Sequence, residues 1–140
     1  MRRTLAALVL LASAGGTAGA YAPNVEYALN CQGCHRADGA GTPGSVPPLV
    51  GSVARFLAAP GGREYLVQVP GVAQAPLDDA TLAAVMNWML KRFDEAHLPA
   101  DFVPYDAAEM GRLRGKPLTD VETVRKRLLT TIDAPSDAKP

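Results

Sequence analysis

The sequence predicts an all-α fold: one helical domain followed by a C-terminal helical extension. Two observations carry that expectation. Leu82, Val85, Met86, Met89, Leu90 and Phe93 recur at spacings of three and four, which lays a single apolar stripe along a helix. Thr119-Asp120-Val121-Glu122 reads as a capping box that opens another helix, running to about Thr131. On that helix Val121, Val124, Leu128 and Ile132 share an apolar face, while Arg125, Lys126 and Arg127 form a basic cluster.

The remaining elements follow in chain order. Residues 1–20 have the pattern of a secretory signal peptide. Arg2 and Arg3 precede an uncharged apolar run from Thr4 to Ala14, and Ala18-Gly19-Ala20 places small residues before a cleavage point at Tyr21. The run is shorter than the roughly 20 residues a bilayer-spanning helix needs. Ala37 to Gly44 is loop by composition. Ser52 to Leu66 is expected to carry a helix broken by Pro60-Gly61-Gly62. Asp78 and Asp79 are positioned to cap the striped helix, and Asp106 with Glu109 opens a short one to Arg114. Residues 135–140 are expected to be a frayed tail. The domain expectation is thus 1–20 signal peptide, 21–97 core domain, 98–140 extension.

A chain of 140 residues has room for one core but not two. Basic and acidic side chains balance at 14 each, so nothing suggests a nucleic-acid groove. Aromatic residues make up only 6%, a composition that a bound cofactor would help to fill at the centre. Removal of Arg2 and Arg3 leaves a mildly acidic mature chain.

The chemistry sits at Cys31-Gln32-Gly33-Cys34-His35, the C-x-x-C-H pattern of c-type haem attachment. Two thiols three residues apart add across the two vinyl groups on one side of a porphyrin. The next residue then presents its imidazole to the iron, and the tether keeps the haem from diffusing away. Three other readings stay open. A structural zinc site would draw on Cys31, Cys34, His35 and His97, without a second Cys pair. A thioredoxin-like pair would need a preceding strand. A simple disulfide loop is the third.

The segment around the motif resembles the class I (monohaem) c-type cytochromes over roughly Pro23 to Phe93. Asn24 to Asn30 resembles that family's first helix, and Pro47-Pro48-Leu49-Val50-Gly51 resembles its proline-containing segment twelve residues beyond the histidine. Trp88 stands where the family has an aromatic residue packed on the first helix. The resemblance implies one covalent haem c on Cys31 and Cys34, His35 as an axial iron ligand, and a hydrogen bond from the His35 ring N–H to the Pro47 carbonyl. It also implies a sixth ligand, commonly a methionine before the last helix. Here that stretch, Val69 to Pro76, has no Met and no His. Met89 is the sixth-ligand candidate, with Met86, Met110 and His97 behind it, and an open sixth position is the remaining alternative. Arg55, Arg63 and Arg92 are candidates to pair with haem propionates.

The function so implied is single-electron transfer by an exported, periplasmic protein. Its partner would be a periplasmic redox protein or dehydrogenase, met by transient docking, with no membrane span in the mature chain. No catalytic acid, base or nucleophile constellation appears, so the expectation is an electron carrier, or a subunit of a larger oxidoreductase, rather than an enzyme by itself. The alternative is a haem sensor or small-ligand-binding protein with an open iron position.

Overall fold

A computed structural model describes residues 21–134; the expected signal peptide and the last six residues lie outside that range. Among the described residues there are helices and no strand, only one isolated bridge between Thr42 and Val46. The fold is all-α. The helices are α1 (Pro23–Asn30), α2 (Gln32–His35), α3 (Gly62–Gln68), α4 (Pro70–Ala73), α5 (Asp79–Asp94), α6 (Ala107–Arg114) and α7 (Val121–Asp133), with 3-10 turns at Ala54–Ala58 and Glu95–His97.

Helix α5 is the spine. Its expected stripe is realised, since Leu82, Val85, Met86, Met89, Leu90 and Phe93 are all buried. Asp78 alone caps it, accepting from the Thr81 N–H at 2.9 Å, while Asp79 is the first helical residue. Helix α1 starts at Pro23, one residue before the expected Asn24, because proline suits the first helical position, where no N–H is needed. It crosses α5 through an aromatic cluster. The Tyr27 ring centroid lies 5.3 Å from Trp88 and 5.2 Å from Phe93, contacts that add about 0.5–1.5 kcal/mol per pair beyond area burial. Tyr27 also donates from its hydroxyl to the Arg36 carbonyl at 2.7 Å, holding Arg36 at a φ of 63°.

The middle of the chain departs from expectation. Ser52 to Leu66 is broken where expected, at Pro60-Gly61, but its first half is not α-helical. It is a 3-10 turn at Ala54–Ala58, then α3, with Gly61 in the left-handed conformation as its N-cap. Within Val69 to Pro76, Pro70 initiates the single turn α4.

The extension packs onto the rest as one continuous core. Tyr105, Met110, Leu113 and Leu128 belong to the same buried cluster as the α5 stripe. Tyr105 exchanges two 2.9 Å hydrogen bonds with the Asn87 side chain on α5. Helix α6 has its expected cap, Asp106, which accepts from the Glu109 N–H at 2.7 Å. Helix α7 begins one residue later than the capping box suggested. Asp120, not Thr119, accepts from the Thr123 N–H, at 3.0 Å, as aspartate competes well for a cap position.

Candidate haem site

Cys31 closes α1 and caps α2, and Cys34 and His35 lie on α2 itself. A separation of three and four residues turns all three side chains toward one cavity of about 320 Å³. The loop that follows is folded back beneath α2. Gly41 donates to the His35 carbonyl at 3.2 Å, and Thr42 and Val46 exchange backbone hydrogen bonds at 2.8 Å. Gly41 has a φ of +70°, and a Cβ there would stand 2.7 Å from the Pro47 oxygen and closer still to that of Val46. Only glycine allows this close turn, which sets Pro47, Pro48 and Leu49 along one side of the cavity.

The other sides are mostly apolar, with Asn30 and Ser52 as polar exceptions. Val53 and Phe56 come from the first 3-10 turn, and Tyr65 and Leu66 from α3. Val69, Val72 and Ala75 flank or belong to α4, and Leu82, Val85, Met86 and Met89 come from α5. Helix α7 adds Val121 and Arg125. Arg114 of α6 braces the α4 side. Its guanidinium donates to the carbonyls of Ala73 (3.1 Å), Ala75 (2.5 Å) and Leu77 (2.7 Å).

Burial lowers the pKa of His35, so its imidazole is held neutral with a lone pair free for a metal. Burial, then the neighbouring Cys34 and Glu26 charges, pushes the Cys31 thiol up. His35 Nδ1 is buried with no hydrogen-bond partner. The implied bond to Pro47 is therefore not made in this structure. Pro47 lines the cavity, but its carbonyl lies against Gly41. A largely apolar cavity with two thiols and an unpartnered imidazole on one wall suits haem, whose macrocycle is apolar and whose iron takes a nitrogen ligand.

The other candidates separate cleanly. Met86 and Met89 reach the cavity; Met110 is fully buried elsewhere, and His97 pairs with Asp94 at 2.5 Å. None of the three expected propionate partners lines it. Arg55 pairs with Asp133 at 2.5 Å, Arg63 with Glu109 at 2.6 Å, and Arg92 lies over the Phe93 ring. Sequence reasoning missed Val121 and Arg125. The available signal was their spacing: Arg125 falls four residues after Val121, on the apolar side of α7.

The scan against protein-family models finds no match. Among curated proteins, a cytochrome c-552 from Thermus thermophilus is 37% identical over 145 aligned positions, which span 91% of this chain and 96% of the relative. A second Thermus thermophilus cytochrome c-552 is 36% identical over 124 positions, 76% of this chain and 95% of that one. The chain belongs to the c-type cytochromes. As such it carries covalently bound haem c and is an electron-carrying protein. The cytochrome has one C-x-x-C-H segment, consistent with a single haem. No described helix is long and apolar enough to cross a membrane.

Proposed function

We propose that this cytochrome relays single electrons between periplasmic partners, a redox protein or a dehydrogenase, after export and cleavage behind Ala20. In this reading Cys31 and Cys34 would form the thioethers to haem, and His35 and Met89 would supply the two iron ligands. Residues 21–97 bear the haem, and residues 98–140 form a C-terminal helical extension and tail, of which α7 lends Val121 and Arg125 to the cavity. The observation that carries the reading is the convergence of Cys31, Cys34, His35 and Met89 on one apolar cavity. When bound, haem supplies a one-electron redox centre whose potential the protein tunes. The chain's residues do the rest. The cavity walls exclude water, the neutral His35 offers its lone pair, and a thioether from Met89 favours the reduced state and a high potential. With haem bound, the unpartnered His35 Nδ1–H would need an acceptor such as the Pro47 carbonyl, which would fix the tautomer and strengthen the ligand. Partner docking is weak and transient, as suits turnover between carriers.

A second reading has its own observation. The stretch from Val69 to Ala75 turns only Val69, Gly71, Val72 and Ala75 toward the cavity, none with a side-chain donor atom for iron. That arrangement suits an open sixth position and a small-ligand-binding protein.

Absorption spectra of the mature, haem-loaded protein separate the two. The electron-carrier reading expects a low-spin spectrum with the weak near-infrared band of methionine ligation, lost in Met89→Ala and kept in Met86→Ala. A high-spin spectrum that shifts rapidly with carbon monoxide selects the second reading. Failure to form covalent haem would overturn both.

A further inference from the structure

Arg125 is the only charged side chain lining the haem cavity among the described residues. It is half-buried, whereas its neighbours Lys126 and Arg127 are exposed and do not line the cavity. Its guanidinium lies 5.1 Å over the Phe56 ring, and it takes part in none of the ion pairs among the described residues. Arg55, Arg63 and Arg114 are all engaged in such pairs.

Helix α7 is fastened where it presents this side chain. Leu128 is buried in the common core, Val121 lines the cavity at the helix start, and Asp133 is tied to Arg55 at the helix end. Haem would bring two carboxylates into a cavity whose walls are otherwise mostly apolar, with Asn30 and Ser52 the uncharged polar exceptions beside the attachment motif. An unpaired carboxylate against such walls is costly, and a guanidinium matches its two oxygens with a planar fork.

We propose that Arg125 pairs with a haem propionate, which makes α7 of the C-terminal extension part of the haem site and a determinant of its reduction potential. The proposal rests on the haem reading above. Positive charge beside the haem disfavours the ferric state, which carries one more positive charge than the ferrous state. Loss of the guanidinium therefore lowers electron affinity, and it leaves a propionate free to titrate.

The test uses full-length, haem-loaded wild type, Arg125→Gln, Arg125→Lys and Lys126→Gln, with midpoint potentials measured from mildly acidic to mildly alkaline pH. Arg125→Gln is expected to lower electron affinity about tenfold, or about 59 mV for one electron, and to make the potential fall more steeply with rising pH. Arg125→Lys keeps most of the wild-type value. Lys126→Gln makes the same change of charge on an exposed, screened side chain and shifts affinity less than twofold. An Arg125→Gln shift no larger than that of Lys126→Gln, without added pH dependence, overturns the proposal. If Arg125→Gln fails to mature, the resonance Raman propionate-bending band of Arg125→Lys decides: a shift from wild type supports the pairing, and an unchanged band overturns it. Wild type lacking covalent haem would instead overturn the underlying haem reading.

Discussion

Replacing Arg114 with methionine keeps the length of its aliphatic stem and removes the guanidinium. Three backbone carbonyls lose their donor at once: Ala73 at the end of α4, and Ala75 and Leu77 on the way to α5. The same group also stands 3.3 Å from Asp79. The side chain is only 17% exposed, so water cannot replace it freely. A hydrogen bond to a charged group contributes about 1.5–3 kcal/mol net. Simple summation overstates the loss, because Gln74 and Pro76, interleaved with the three acceptors, are exposed and solvent can satisfy some of the freed carbonyls. The expected destabilisation is about 2–4 kcal/mol, the range for a broken buried polar network, which corresponds to about 10 °C in Tm for a chain of this size. Guanidinium unfolding of the haem-loaded protein, followed by both far-ultraviolet circular dichroism and haem absorbance, measures it. A loss below about 0.5 kcal/mol, the level of an ordinary surface substitution, would refute the reasoning that Arg114 holds the α4 wall in place.

Two further predictions follow from the site. Gly41→Ala places a Cβ against the Val46 and Pro47 carbonyls at a φ of +70°, so the loop beneath His35 must move; destabilisation above about 2 kcal/mol is expected from left-handed strain plus overpacking, read by thermal unfolding and by the yield of covalent haem. The Tyr27 phenol is pushed up to about 12, first by burial, then by the charges of Cys31 and Asp38. Because the folded pKa is raised, its contribution to stability is complete below about pH 10 and declines toward pH 12. Tyr27→Phe is expected to flatten the stability–pH curve in that window. The effect is smaller in the haem-loaded protein, where a thioether at Cys31 carries no charge.

Covalent linkage and local periodicity determined much of this protein at the level of sequence. Cys31, Cys34 and His35 fall on one face because helical geometry dictates where residues i, i+3 and i+4 point. The α5 stripe needed only its spacing to be read, and Asp78 and Asp106 cap their helices through contacts three residues away. Where two acceptors competed for the same start, at Thr119 and Asp120, local signals left the boundary uncertain by one residue. The tertiary structure decided what depends on distant segments meeting. It turned Pro70 into the start of a helical turn and drew Arg55, Arg63 and Arg92 away from the cavity. It brought both Met86 and Met89 to that cavity and sent Met110 elsewhere. It also carried Arg125, some 90 residues beyond the cysteines in the chain, onto the cavity wall. A run of three basic residues looks uniform in sequence. Only the packing of α7 against Phe56 separates the half-buried guanidinium facing the cavity from the two solvated charges beside it.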